Sequence, residues 1–432
     1  MRNNIVHVGA HELKYEIREI VTVGDKLSDA GLDICWENIG DPVNKGEKIP
    51  LWIKEVIKKA VDEDSSFAYC PTKGLEETRE FLAGLCNKRK KIQITKEDII
   101  FFNGIGDAIS KIYNYLRKET RVIGPTPAYS THSSAEAAHA GEDHLMYRLE
   151  PSNKWFPDLE DLRNKVKSNQ DISGILIINP NNPAGSVYPK EIMGEFVRIA
   201  EEFELFVICD EVYMNIIYNG SVPIQLSDVV NNVCGISMKG ISKELPWPGA
   251  RCGWIETYNK DINPIFRKYI NTVLHAKMLE VCSTTLPQKV IPKLLCDPRY
   301  KEYHVMRNKI YERRSKYAYD TLKKTDGIIV NKTNGTFYMT VCFKDGVLND
   351  RQKLVIKNNK IRNYIEDIVQ DVELDKRFVY YLLGATGICV VPLTGFSCDF
   401  YGFRITLLET NEGKFEWIFT TISEKIKDYL NS

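Results

Sequence analysis

The chain has no excess of charge of either sign. Its 58 Lys and Arg balance 58 Asp and Glu over 432 residues, so no global field draws it to nucleic acid or to an anionic membrane. No apolar run approaches the ~20 residues that a bilayer crossing needs. The opening Met1-Arg2-Asn3-Asn4-Ile5 turns charged before a signal-peptide core can form. Its 11 cysteines contain no C-x-x-C pair, which removes the usual spacing for structural zinc or a redox dithiol, and no metal is expected. An odd set of thiols, several inside apolar runs (Cys209, Cys342, Cys389), suits a reducing cytoplasm rather than a disulfide framework. Repeats and low-complexity segments are absent. The one dense basic run, Lys88-Arg89-Lys90-Lys91, has the size of a solvated helix end.

What is present is material for a large core. Hydrophobic residues make up 43% of the chain, and the length predicts two to three domains. Leu13, Ile17, Ile20 and Val21 recur at helical spacing and predict an amphipathic helix over residues 10–30. Trp36-Glu37-Asn38-Ile39-Gly40-Asp41-Pro42 then breaks it with loop chemistry. From about residue 95 to 255 short apolar runs (99–102, 121–123, 174–178, 205–209, 234–238 and 253–256) alternate with amphipathic stretches such as 107–117 and 190–202. That alternation predicts an α/β unit, a mostly parallel sheet covered by helices on both faces. Ligands in such sheets sit beyond the carboxyl ends of the strands. After about residue 300 the character changes. A charged helix over 301–324, strands at 336–343, 388–391 and 403–408, a charged stretch over 344–377 with a helical centre, and a final helix over 415–430 predict a smaller α+β domain.

Three segments carry candidate chemistry. Gly240-Ile241-Ser242-Lys243 is followed eight residues later by Arg251, just after Pro248-Gly249. This suits a lysine that binds an aldehyde cofactor covalently and an arginine that holds its phosphate. The run Val207-Ile208-Cys209-Asp210 ends an apolar strand in an acid, with Tyr213 three residues on. Such an acid either caps the next turn or pairs with a protonated ring nitrogen. Asn179-Pro180-Asn181-Asn182-Pro183-Ala184-Gly185 follows another apolar strand. Its composition serves a surface turn and equally offers an Asn side chain to a ligand.

In this order the segments resemble the class I/II aminotransferases, the fold-type I enzymes that depend on pyridoxal phosphate (PLP). Asn182, Asp210, Tyr213, Lys243 and Arg251 lie at separations of 28, 3, 30 and 8, and the likeness runs from Leu13 to Arg404. The resemblance implies a fold-type I architecture, with a large PLP-binding domain over 56–308 and a small domain from 1–55 and 309–432. It implies that Lys243 carries PLP and moves the substrate α-proton, while Asp210 and Tyr213 act on the ring. Tyr129, in Pro127-Ala128-Tyr129, is implied to stack on the cofactor, with His132 behind Asp210. Gly104, Ile105 and Gly106 resemble the phosphate cradle at a helix start, with Ser242 beside it. Tyr69 resembles the tyrosine that reaches the neighbouring subunit's phosphate, which implies a homodimer. Arg404 and Asn182 are implied to clamp the substrate α-carboxylate, and Gly40 belongs to the segment that closes over substrate.

The chain also departs from the pattern. Gly240 and Gly106 stand where a hydroxyl residue is common, leaving more of the phosphate to Arg251, backbone amides and Tyr69. The second arginine used by dicarboxylate-specific members has no evident counterpart, which argues against aspartate specificity. A dinucleotide fold is disfavoured, because Ile109 occupies the place of the third glycine and no acid ends a strand at the expected distance. The expected activity is transfer of an amino group from an L-amino acid to a 2-oxo acid by a ping-pong route. A PLP-dependent C–S lyase or another fold-type I reaction is the alternative, since electron-sink chemistry permits both. A PLP-binding transcriptional regulator would need a DNA-binding domain ahead of the helix near residue 10, and neutral charge disfavours it.

Overall fold

The computed structural model describes residues 5–7, 9–12 and 16–432, the side chains of Glu16 and Ile17 excepted. Met1–Asn4 and Leu13, and with them part of the expected helix over 10–30, lie outside the described residues. Within them that region is a short turn, Ala10–Glu12, and a helix, Glu16–Asp29, which buries Ile20 and Leu27.

The large sheet has eight strands. In spatial order they are Ile99–Phe102, Gly253–Tyr258, Gly235–Gly240, Phe206–Asp210, Ile172–Ile178, Arg121–Thr126, Met146–Glu150 and Phe156–Pro157. The pairs from Gly235–Gly240 to Met146–Glu150 are parallel, and those at both ends are antiparallel. The inner strands carry unbroken apolar runs, Ile-Leu-Ile-Ile over 175–178 for example, because helices cover both faces. Strands Ile99–Phe102, Arg121–Thr126, Ile172–Ile178, Phe206–Asp210 and Gly235–Gly240 all point the same way, so their carboxyl ends share one edge.

The smaller antiparallel sheet runs Ile328–Val330, Tyr338–Phe343, Gly402–Thr406, Val391–Pro392. Its core joins Phe343, Phe378, Phe403 and Tyr429 with residues of the helix Glu16–Asp29. The strand expected over 388–391 divides in two. Ile388–Cys389 pairs in parallel with Cys35–Trp36, whereas Val391–Pro392 lies at the edge of the small sheet, where proline's missing N–H costs no ladder bond. The charged stretch over 344–377 holds the helix Asn359–Ile368 and the start of Leu374–Thr386. One 25-residue helix, Pro298–Leu322, runs unbroken through position 308/309. Among the described residues no helix is long and apolar enough to cross a membrane.

Candidate active site

The shared strand edge gathers the chemistry. Thr126 leads through a turn to Tyr129, Ile178 leads to Asn182, Asp210 ends its own strand ahead of Tyr213, and Gly240 leads into the turn bearing Ser242 and Lys243. Phe102 leads to Asn103-Gly104 and a helix that starts at Ile105. Gly253 pairs with both Gly240 and Phe102, so Arg251, two residues earlier, reaches the same edge from the opposite chain direction. A cavity of about 340 Å³ opens there. It is lined by Gly40, Ile105, Gly106, Tyr129, Asn182, Asp210, Tyr213, Ser242, Lys243, Arg251 and Arg404. Gly104 adjoins it through Arg251. Tyr69 does not line it: the side chain is 85% exposed on a surface loop.

Lys243 Nζ donates to Gly40 O at 2.7 Å and sits 5.8 Å from the Phe337 ring centre. Asp210 is buried; His132 Nε2 lies 3.2 Å from Oδ2, and Val212 N donates to Oδ1 at 3.2 Å. Tyr213 OH contacts Tyr338 OH at 3.4 Å, and burial together with Tyr338 pushes its phenol well up from the usual range. Glu244, directly after Lys243, is pushed up to about 7 by burial, although Asn215 donates to it from backbone and side chain at 3.0 and 2.8 Å.

Arg404 is only 1% exposed. Its guanidinium lies 4.3 Å from the Tyr338 ring centre and 4.9 Å from that of Phe396, a favourable place for a weakly hydrated planar cation. It donates to Asn182 Oδ1 at 3.2 Å and to Asn38 O. Its buried Nε has no acceptor, and among the described residues no carboxylate pairs with it. A buried charge without a counter-ion costs several kcal/mol, roughly, so the arrangement is built for an incoming anion.

The residues fit the cofactor that the resemblance implies. The Ile105 and Gly106 amides open a ten-residue helix, where the first N–H groups lack intrahelical acceptors and favour an anion. Gly104, at φ +85°, leaves the space in which Arg251 lies: a Cβ there would meet Arg251 Nη2 at 2.5 Å. A Cβ on Gly106 would meet nothing within 4 Å, so the cradle is open. Gly240 has a packing reason of its own. Together with Gly253 it lets Ile105 rest on the strand pair, and a Cβ on Gly253 would lie 2.8 Å from Ile105 Cδ1.

Some lining residues are not picked out by the sequence, and two of them carry polar side chains of note. Arg18, on the helix Glu16–Asp29, and Tyr338, at the start of a small-sheet strand, both face the cavity. Arg18 is exposed and, among the described residues, pairs with no acid. Nothing local marks a lone arginine on an amphipathic helix as a site residue. Among the described residues one compact group of possible metal ligands, Cys35, Glu37 and Glu409, lies elsewhere. Lys45 Nζ stands 2.5 Å from Glu37 and 3.7 Å from Glu409, so a cation already meets their charge.

Comparison with known proteins gives a consistent picture. The family model for aminotransferase class I and II matches residues 37–415. An uncharacterized aminotransferase of Methanocaldococcus jannaschii is 57% identical over 432 residues, all of both chains. The glutamate-pyruvate aminotransferase AlaA of Escherichia coli is 28% identical over 348 residues, 79% of this chain and 84% of that protein. The solved alanine aminotransferase from Pyrococcus furiosus superposes with a TM-score of 0.82 at 26% identity, covering all of both chains.

Proposed function

The chain belongs to the class I and II aminotransferases, and on that premise we propose that its cavity moves an amino group between glutamate and a small 2-oxo acid such as pyruvate. It is a transaminase of the fold-type I architecture, and its family generally depends on PLP. When bound, PLP supplies an electron sink for the pair released at the substrate Cα.

In this reading Lys243 would be the covalent anchor of the cofactor, and its free amine would take the substrate α-proton as general base and give a proton back as general acid. Arg251, Ser242 and the amides of Ile105 and Gly106 hold the phosphate, with Gly104 leaving room for Arg251. Tyr129 covers one face of the ring. Asp210, backed by His132, holds positive charge at the ring nitrogen, and Tyr213 donates to the ring oxygen. Arg404 and Asn182 receive the α-carboxylate as a planar fork and an amide. Gly40 O keeps the lysine amine over the site. The two half-reactions share one site, which gives ping-pong kinetics. Division of the chain into a large domain over 56–308 and a small one from 1–55 and 309–432, pairing of two copies through Tyr69, and a cytoplasmic location suited to eleven free thiols complete the reading.

The observation that carries it is Arg404, buried, charged and, among the described residues, without a carboxylate partner, in the same cavity as Lys243. Arg18 extends it to substrate choice. An exposed guanidinium on the rim, with no acid partner among the described residues, suits the distal carboxylate of glutamate or 2-oxoglutarate, and the names of the AlaA and Pyrococcus furiosus relatives agree with a glutamate–alanine pair. The test adds glutamate to loaded enzyme without any oxo acid. One equivalent of 2-oxoglutarate and conversion of the cofactor to its amine form are expected. Release of ammonia and pyruvate from cysteine conjugates, with the aldehyde form retained, would instead establish a C–S lyase. Replacing Arg18 by Gln should raise KM for glutamate about tenfold and leave KM for alanine within about twofold, as loss of one partly exposed charge contact predicts. Equal changes for both donors would refute the assignment of Arg18.

A further inference from the structure

The long helix Pro298–Leu322 carries a ladder that the reaction described above does not use. Tyr303, Arg307 and Tyr311 follow one another at intervals of four and so share one helix face. The Arg307 guanidinium lies 6.0 Å from the Tyr303 ring centre and 5.4 Å from that of Tyr311. All three side chains converge on a single carboxylate, Glu47. Arg307 Nε stands 2.7 Å from its Oε1, and Nη2 donates to its Oε2 at 3.1 Å. The Tyr303 and Tyr311 hydroxyls donate to the same group at 3.0 and 3.1 Å. Arg307 is 4% exposed, so this is an enclosed, charge-assisted cluster rather than a surface ion pair.

The other side of Arg307 meets the lysine turn. Its Nη1 donates to Lys243 O at 2.6 Å and to Glu244 O at 3.2 Å. Those carbonyls end the one-turn helix Ile241–Glu244, where a cation is favoured. One guanidinium therefore fastens two stretches of chain far apart in sequence, the Lys243 turn and the segment carrying Glu47. That segment touches the site twice more: Asn38 O accepts from Arg404, and Gly40 O accepts from the Lys243 amine. At its other end Thr406 N donates to Glu37 O at 3.1 Å, and Lys45 pairs with Glu37.

The geometry points to Glu47 and Arg307 as positioning residues that fix segment 38–47 over Lys243 and so set how substrate is enclosed. Neither group touches the reacting atoms. They act through the backbone of Lys243 and through Gly40. Lysine at position 307 would keep the charge but lose the fork, which spans Glu47 and the Lys243 carbonyl together. The inference rests on the proposed site only for its kinetic consequence; the tethering itself is a property of the chain.

The test compares Glu47→Gln and Arg307→Lys with wild type by hydrogen exchange on the cofactor-free protein, then by steady-state kinetics with the cofactor added. Exchange should rise about tenfold or more in 38–47 and 240–245 while the rest of the chain keeps its protection. KM for the amino donor should rise more than kcat falls. In the double variant the losses should be less than additive, because both changes break one contact. Unchanged exchange in 38–47, a uniform rise over the whole chain with a lower Tm, or local loosening without any kinetic change would each overturn the inference. Wild type that shows the tethering but no transamination would count against the proposed function and leave the tether standing.

Discussion

Gly104 shows how one side chain's absence builds a site. Its φ of +85° is readily available only to glycine, and the vacated volume holds the Arg251 guanidinium. Gly104→Ala should therefore displace Arg251 from the phosphate cradle. Cofactor affinity is expected to fall about tenfold or more, from backbone strain of roughly 1 kcal/mol plus a weakened charged contact. Titration of the cofactor-free protein with PLP measures this directly, and wild-type affinity would mean that Arg251 does not hold the phosphate. At this scale the sequence was readable wherever a polar residue ends an apolar strand. Asp210, Asn182 and Lys243 each stand just past such a run, where an α/β sheet delivers side chains to its ligand edge. Arg18 and Tyr338 were not readable, because their place depends on how the smaller sheet and the helix Glu16–Asp29 pack beside the large one. Glu47 and Arg307 were equally silent: the helical spacing of Tyr303, Arg307 and Tyr311 is visible, but their common acceptor is some 250 residues away.

Among the elements, the helix Leu374–Thr386 is tied to the strand of Arg404 by a buried acid. Asp375 accepts from Thr394 N and Oγ1 at 3.0 and 2.9 Å and from Gly402 N at 3.3 Å, just ahead of Arg404. Burial outweighs these donors and pushes the Asp375 carboxyl up from 3.8 to about 6. A carboxyl raised on folding binds its proton more tightly in the native state. Its contribution to stability is therefore complete below about 3.8 and lost as pH rises through about 6. Asp375→Asn removes that titration. Its Tm should start lower at acid pH, since an amide nitrogen meets N–H donors, and should decline less than wild type across the same window. Thermal melts at several pH values check this, and parallel curves for the two proteins would exclude the buried titration. Strand and helix types along 99–258 follow from the pattern of apolar runs. The split at 388–392 does not, because a four-residue apolar run contains no signal for changing partners between two sheets.

For the whole molecule, the telling feature is exposed apolar surface on a loop around Tyr69 and on the neighbouring end of the helix Pro264–Met278 with the loop after it. Phe67, Tyr69, Met278, Leu279 and Val281 are 75, 85, 52, 83 and 52% exposed, and Thr72 Oγ1 joins the two loops through Val281 O at 2.8 Å. Large exposed side chains grouped in this way are the kind of surface that a partner covers, and the proposed pairing of two copies would use it. A second copy of the chain seated there would also give Tyr69 a destination, since it does not reach the cavity of its own chain. Leu279→Glu places a charge in that patch and, if two copies pair there, should shift the protein toward monomer, with activity falling in proportion. Light scattering at micromolar concentration reads the assembly; an unaltered dimer would place the interface elsewhere. The account as a whole rests on Lys243 as the anchor of the cofactor. The most direct measurement reduces the PLP-loaded enzyme with borohydride, digests it and locates the phosphopyridoxyl group by mass spectrometry. The account predicts the group on the peptide containing Ser242-Lys243-Glu244, and its absence there or its attachment to another lysine would contradict it.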